Sequence, residues 1–305
     1  MEFGFKQLEL SDKKTFDRYF RFYQPLAGEL TFVNLHMWDC VYHSSFLEFE
    51  GFLCIVCGEP NARFSLMPID GVGGDQAARL AKVVGMLLAY FKEIGQNLVF
   101  QRVTEQESNA IEQAAAAINC KVEAVFDRDN SDYVYRYEEI SGLPGKKYHA
   151  KRNHIQNLIY NESPEYVSLT PELLPACIKI LEHWHMDRQD DLAMQHEKLS
   201  QLILIENFAA YGSCKGGLVK VNGIPKAYTI GQMLNETTLV VHSERADGSI
   251  RGLYPYVNQQ FLLHEWPGIQ YVNREQDCGS EGLRKAKLSY HPNHLENKYK
   301  VSLIP

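Results

Sequence analysis

Two rhythms of hydrophobic and polar positions run along this chain, and the switches between them predict its elements. Gln7 to Tyr23 is expected to be helical, with Leu8, Phe16, Tyr19, Phe20 and Phe22 as its apolar positions, while the aromatic-rich stretch Glu29 to Tyr42 fits neither period cleanly. Strand patterns follow at Phe46 to Phe49 and Phe52 to Val56, flanking a tight turn at Glu50-Gly51, and again at Arg63 to Met67. Asp75 to Ile94 predicts a long amphipathic helix, Leu98 to Val103 a strand, Glu105 to Asn119 an alanine-rich helix, and Val122 to Phe126 and Asp132 to Tyr137 two strands. Beyond Ser163-Pro164 the pattern predicts helices at Leu173 to His185 and His196 to Tyr211, joined by a charged turn from Asp187 to Asp191. A hairpin follows, Gly212 to Val221 and Ala227 to Leu234 about Asn222-Gly223, then a strand at Thr238 to Glu244 and a helix at Arg251 to Trp266. The chain closes with a strand at Ile269 to Asn273, a short helix at about Ser280 to Tyr290 and a strand at His294 to Leu303.

This order repeats. Each half has a hairpin with a glycine turn, a further strand, a long helix, a strand and another helix. The expected class is α/β (α+β), mixed sheets flanked by helices, in two domains, 1–165 and 166–305, with the boundary near Asn161 to Thr170.

Composition refines this only slightly. At 305 residues the chain is long enough for two domains, and 45% apolar residues exclude wholesale disorder. A net charge of −7 provides no global field toward nucleic acid or anionic lipid, although a local basic patch could supply one. The absence of an 18-residue apolar run and of a signal-peptide core at MEFGFKQLEL leads to the expectation of a cytoplasmic protein with no integral membrane segment. Seven scattered cysteines fit a reducing compartment, and Cys54-x-x-Cys57, inside an apolar strand pattern and without a second pair, reads as buried thiols rather than a metal site.

Candidate chemistry concentrates in three places. In Tyr271 to Pro292 (YVNREQDCGSEGLRKAKLSYHP) a strand meets a helix, a usual address for a ligand in an α/β sheet. Ser280 can cap the helix, and Arg284, Lys285 and Lys287 lie along it. In Ser141 to Ile155, a loop at Gly142, Pro144 and Gly145 leads into Lys146, Lys147, His149, Lys151, Arg152, Asn153 and His154, the densest basic segment in the chain. Positions 147, 151 and 154 would share one helical face, which suits either solvation or phosphates. The third place is Arg245-Ala-Asp-Gly248-Ser-Ile250-Arg251-Gly252, a glycine-containing turn before a helix.

The order of elements in each half resembles the GNAT acyltransferase fold. In that family a turn of pattern R/Q-x-x-G-x-G/A binds the pyrophosphate of acyl-CoA; here Arg245 and Gly248 match, and Ile250 stands where a small residue is expected. LPGKKYHAKRNHI (143–155) and NREQDCGSEGLRKAKLSYHP (273–292) further resemble the C-terminal domain of bacterial phosphatidylglycerol lysyltransferases, a family related to the Fem-type peptidyltransferases. The resemblance implies tandem GNAT-like halves and aminoacyl or acyl transfer. The lysyltransferases also carry a membrane-embedded N-terminal part, to which nothing in this sequence corresponds.

Such transfer requires an acceptor held against an ester or thioester carbonyl, removal of its proton and stabilisation of the oxyanion. Glu275 and Asp277 are placed to position or deprotonate the acceptor, or equally to pair with Arg284 or Lys287. Lys287 suits the oxyanion or a phosphate, and Tyr290 suits protonation of the leaving oxygen. Arg245, Gly248, Arg251, Gly252, Lys146, Lys147, Lys151 and Arg152 are the donor-binding candidates, and Glu244, Tyr254, Asn273 and Arg284 the positioning ones. The donor is expected to be aminoacyl-tRNA or acyl-CoA, the acceptor a small molecule or peptide bearing an amine or hydroxyl, and tRNA is the macromolecular partner considered. No metal is expected: there is no HExxH, and His183 and His185, two apart, would not face together on a helix. Neither a G-x-S-x-G elbow nor a Walker A loop occurs. A non-catalytic ligand- or partner-binding module on the same fold is the alternative.

Overall fold

The computed structural model describes residues 3–186 and 191–304. The strands, in chain order, are β1 (Lys6–Gln7), β2 (Ser45–Phe49), β3 (Phe52–Cys57), β4 (Phe64–Ser65), β5 (Ile69–Asp70), β6 (Val99–Thr104), β7 (Lys121–Phe126), β8 (Asp132–Arg136), β9 (Glu165–Ser168), β10 (Lys215–Val221), β11 (Ile224–Met233), β12 (Thr238–Ala246), β13 (Tyr271–Asn273), β14 (His294–Glu296) and β15 (Lys298–Ile304). They belong to two compact units. One gathers the chain up to Asp132 with Gln276–Ser280 and the stretch from Leu295 onward; the other gathers Tyr133–Glu275 and Glu281–His294.

The first unit is built on a mixed sheet in the order β1-β2-β3-β4-β6-β15-β7, with β5 beside β3. The hairpin β2–β3 turns at Glu50 and Gly51, both at positive φ (51° and 79°), as a two-residue type I′ turn requires. Phe52, Cys54 and Val56 alternate onto the face that meets Leu80, Val83, Val84, Leu87 and Phe91 of the Gln76–Glu93 helix and Ile111 of the Glu105–Ala117 helix. Each fully buried side chain of this size contributes about 1.5–3 kcal/mol by leaving water. Asp75 caps the first of these helices, accepting from the Ala78 N–H at 3.2 Å, and a Thr104/Glu107 capping box starts the second. Cys54 and Cys57 are buried thiols, pushed up to about 12 and about 11 by burial.

The second unit's sheet runs β8-β13-β12-β11-β10-β9, parallel only between β12 and β13. Asn222 and Gly223 form its type I′ hairpin turn (φ 52° and 79°). Several boundaries differ from the periodic reading. The first helix spans only Lys13–Tyr23, because Lys6–Gln7 pairs with β2. The Glu29 to Tyr42 stretch forms two short helices, Phe32–Met37 and Asp39–Tyr42. β9 is an additional strand, and the expected closing strand is divided into β14 and β15. Of the expected Asp187 to Asp191 turn, 187–190 lie outside the described residues, and Asp191 caps the Leu192–Glu206 helix by accepting from the Met194 N–H at 2.9 Å. Among the described residues no helix is long and apolar enough to cross a membrane.

One buried charge cluster holds the first unit together. Lys298, at the start of β15, is fully buried, and its Nζ donates to Glu29 Oε2 at 2.5 Å and Asp132 Oδ1 at 2.6 Å. Burial alone would lower the lysine pKa; Asp132 and Glu29 outweigh it, so the net shift is upward. This stabilisation is therefore fully present below the ordinary lysine value of 10.5 and is lost as pH rises through the raised folded value. Lys298→Met strands two buried carboxylates and is expected to cost about 3–5 kcal/mol in urea unfolding at neutral pH. The deficit relative to wild type should narrow above pH 10.5; a deficit independent of pH would contradict the ion-pair account.

Candidate functional site

The second unit carries a polar turn at the end of β13. Asn273, fully buried, accepts from the Glu275 N–H at 2.7 Å and so bends the chain back. Glu275 sits at φ +56°, a left-handed conformation that non-glycine residues adopt at a cost of about 1–3 kcal/mol. What holds it there is Lys287 on the Glu281–Leu288 helix, whose Nζ donates to the carbonyls of Arg274 (2.6 Å) and Glu275 (3.0 Å). The Tyr135 hydroxyl in turn donates to the Lys287 carbonyl at 2.9 Å.

Arg274 lies behind the turn. Its Nη2 donates to Glu244 Oε1 at 2.7 Å, and Glu244 Oε2 accepts from Asn258 Nδ2 at 2.8 Å. The guanidinium faces the Tyr290 ring at 4.8 Å and the Tyr135 ring at 5.9 Å. Burial pushes the Tyr290 phenol up to about 12, against the opposing pull of Arg274. On the Tyr290 ring also lies Lys151 Nζ, at 3.7 Å, donating to Ser289 Oγ at 2.8 Å. Burial, followed by the Arg274 charge, lowers Lys151 to about 8.

Sequence reasoning overlooked the residue that holds the Glu275 carboxylate. His242 on β12 is buried, with Nδ1 3.0 Å from Glu275 Oε1 and Nε2 3.1 Å from Gln232 Nε2. Gln232 Oε1 is taken by the Ser213 hydroxyl at 2.7 Å, so the Gln232 amide N–H faces the imidazole. Nε2 must then accept, and Nδ1–H donates to Glu275. A signal was available: His242 and Glu244, two apart in a strand, fall on one face, where only apolar residues would be expected of a purely structural core.

The two donor segments meet. His154, on the His149–Glu162 helix, contacts Arg251 (Nη2 to Nε2, 3.3 Å), and the His154 carbonyl packs directly against Gly252. Gly252, at φ +95°, leaves no space there for a Cβ and sets the start of the helix at Leu253, two residues later than the period suggested. Other candidates have structural partners. Arg245 pairs with Glu197 and lies 4.5 Å over the Trp184 ring, while Trp184 Nε1 donates to the Tyr254 hydroxyl at 2.8 Å. Arg152 Nη1 donates to the carbonyls of Leu143 and, at 2.7 Å, Gly145. Lys147, exposed like Lys146, pairs with Glu139 at 2.8 Å. Arg284 is half-buried on its helix. Asp277 belongs to the first unit, where it is fully buried and paired with Arg128 at 3.2 Å. Within the 245–252 turn, Asp247 Oδ1 accepts from the Ser249 N–H (3.1 Å) and hydroxyl (2.5 Å), Oδ2 accepts from Lys226 Nζ (2.9 Å), and the Ile250 N–H donates to the Asp247 carbonyl (3.2 Å). Burial pushes the Asp247 carboxyl up, but the hydrogen bonds from Ser249 and Lys226 prevail and hold it at about 2.

The two glycines of this turn should therefore behave differently. Gly252→Ala is expected to cost about 1–3 kcal/mol in thermal or denaturant unfolding, whereas Gly248→Ala, with nothing within 4 Å of the added Cβ, should be close to neutral. Equal effects would contradict the packing of Gly252 on His154.

Comparison with known proteins was consistent with this architecture. The family described as "Phosphatidylglycerol lysyltransferase, C-terminal" matches residues 20–302. A protein of unknown function from Bacteroides thetaiotaomicron is 30% identical, with 99% of this chain and 100% of that chain covered and a TM-score of 0.90. The fold is shared with the C-terminal domain of a protein named as a lysylphosphatidylglycerol synthetase from Agrobacterium fabrum (12% identity, 96% and 90% covered, TM-score 0.67). It is also shared with a tandem GNAT protein of clavulanic acid biosynthesis (11% identity, 98% and 97% covered, TM-score 0.50). An uncharacterised protein of Mycoplasmoides gallisepticum is 25% identical over 186 residues, 59% of this chain and 58% of its own length. The fold is mixed α/β and GNAT-like, and the chain belongs to the phosphatidylglycerol lysyltransferase C-terminal family.

Proposed function

We propose that this protein transfers an aminoacyl or acyl group from an activated donor to an amine or hydroxyl acceptor, and that it does so in the cytoplasm. The observation that carries this reading is the Glu275 turn: a carboxylate on a left-handed residue, oriented by His242 Nδ1–H at 3.0 Å and fixed by Lys287 on the two adjacent carbonyls. A carboxylate held this way is suited to take the proton of an attacking amine or hydroxyl. Tyr290, with its phenol kept protonated by burial, is suited to donate to the leaving oxygen. Lys287, with its ammonium on two carbonyls, is assigned to hold the turn, and Arg274 to hold Tyr290 and Glu244. The donor's phosphates are assigned to Lys151 and Arg251, and the duplicated organisation about residue 165 is retained as part of the proposal.

Between donors, aminoacyl-tRNA is favoured over acyl-CoA. The N–H groups of Ser249 and Ile250, at the position where a GNAT turn would meet pyrophosphate, are satisfied within the turn by Asp247. A second reading, a non-catalytic binding module, is favoured by the commitment of Arg245, Arg152 and Lys287 to structural partners.

Calorimetric titration with lysyl-tRNA, acetyl-CoA and CoA, followed by an assay of donor consumption, separates the readings. Binding and consumption of lysyl-tRNA are expected, with binding unaffected by Gly248→Trp. Glu275→Gln should lower turnover by at least about 10²-fold, with a melting midpoint within about 3 °C of wild type. CoA binding abolished by Gly248→Trp would reverse the choice of donor. Failure to bind any of the three would replace the transferase with the binding module.

A further inference from the structure

The sheet of the first unit ends in an unguarded edge. β7 is its terminal strand, and among the described residues no strand lies beyond it. Every residue of β7 except Val122 is exposed, although the sequence KVEAVF is mostly apolar. Val125 is 54% exposed and Phe126 47%. Edge strands are ordinarily blunted by shortness, by charge along the strand, by proline or by a bulge. The sheet's other edge follows this rule, since β1 is two residues long and carries Lys6. β7 does not. It pairs with β15 from Lys121 to Phe126 without a register shift, it contains no proline, and its lysine stands at the first position.

The register shows which backbone groups face outward. The Asp127 N–H donates to the Lys298 carbonyl at 2.8 Å, and these two residues follow the Phe126–Tyr299 pair in register. In an antiparallel ladder, hydrogen-bonded and non-hydrogen-bonded pairs alternate. Lys121, Glu123 and Val125 therefore turn their N–H and C=O groups toward β15, and Val122, Ala124 and Phe126 turn theirs to the open edge.

Such a row of donors and acceptors is met by another extended strand, and β7 is complementary to itself. Two copies set antiparallel about a two-fold axis at Ala124 place Val122 opposite Phe126 of the second copy, with the two Ala124 residues facing each other. In that register the outward groups of Val122, Ala124 and Phe126 all pair with one another. The side chains of these residues share one side of the sheet, the side on which Val122 packs against the core. Each Val122/Phe126 contact is thus a β-branched residue against an aromatic one, a favourable cross-strand pair. On the opposite side Lys121 faces Asp127 of the second copy, so opposite charges meet at both ends. We propose that this protein forms a two-fold dimer in which two β7 strands join the sheets of two first units into one. The interface is isologous, and the short, charged β1 does not extend the sheet further, so assembly closes at two copies. The pairing uses no residue assigned to transfer and stands whether or not that reading holds.

Sedimentation velocity on the full chain between about 1 and 100 μM tests it. The mass is expected to rise across this range from that of one chain toward that of two. Ala124→Pro removes an outward N–H at the axis and leaves the β7–β15 bonds in place, so it should raise the dissociation constant at least about tenfold. Lys121→Asp, on the solvent side, sets like charges opposite each other at both ends and should raise it at least about threefold. Both variants should retain the wild-type circular dichroism; if Ala124→Pro does not, Lys121→Asp decides alone. A chain that stays monomeric at about 100 μM overturns the proposal and leaves the edge to a different partner. A dimer whose dissociation constant the folded variants leave unchanged equally overturns it, because its interface then lies elsewhere.

Discussion

The second unit's site depends on the burial of one ammonium. Lys287 is 8% exposed, and a buried charge without partners costs several kcal/mol. It is tolerated because the carbonyls of Arg274 and Glu275 both turn toward it. Glu275 presents its carbonyl in that direction from a left-handed backbone, so the strain at one residue and the desolvation at the other are offset by the same hydrogen bond. The direction of the Glu275 side chain follows, and His242 meets it from the sheet. Tyr135 on β8, donating to the Lys287 carbonyl, ties the helix to that same sheet.

The two units bury lysine by different means. Lys298 is neutralised by two carboxylates at hydrogen-bond distance, a closed arrangement that serves stability. Lys287 donates to two backbone carbonyls, and Lys151 to a serine hydroxyl beside the face of Tyr290. The hydroxyl and the ring carry no net charge to offset that of Lys151. Burial and Arg274 lower the Lys151 pKa to about 8, a direction expected of a cation held among cations. An anion arriving beside Lys151 would relieve this, which is the electrostatic basis for assigning donor phosphates here rather than to Arg245, whose charge Glu197 already offsets.

Long periodic elements were legible in the sequence because their side chains face one core. The helix at Gln76–Glu93, the hairpin about Asn222-Gly223 and the strand before Arg274 all lie within a few residues of where period and turn chemistry put them. β9 escaped because it is short and has no buried residue, and takes its place by pairing with β10 rather than by burying an apolar face. The return of β15 to the first unit is likewise invisible to a linear reading, since its burial depends on Glu29 and Asp132, more than 150 residues distant in sequence. For the site, the density of polar residues from Asn273 to Tyr290 was apparent, but the partner of each was not. Arg152 and Arg245 look like free cations in the sequence; the carbonyls and the carboxylate that occupy them become visible only when the chain is folded. His242 was hidden by the opposite effect, as the first polar residue after the apolar run 239–241.

The turn from Arg245 to Gly252 has the outline of a phosphate-binding turn but satisfies its own backbone donors. A phosphate-binding turn works by leaving consecutive backbone N–H groups unsatisfied at a helix start. Here Asp247 supplies the anion from within the chain: its carboxylate takes the Ser249 N–H, and its carbonyl takes that of Ile250. Lys226 secures that carboxylate, which hydrogen bonding holds at about pH 2, so it remains charged across any physiological range. An incoming pyrophosphate would have to displace a covalently tethered anion and then lie beside it, at a Coulomb cost of about 1–4 kcal/mol for unit charges at contact distance near a surface. Ile250, bulky where a small residue would admit the phosphate, acts in the same direction. The glycine that remains indispensable is Gly252, and its role is to let the His154 carbonyl approach. Under the proposed function, the basic helix, rather than the turn, is therefore the surface assigned to a phosphate-bearing donor.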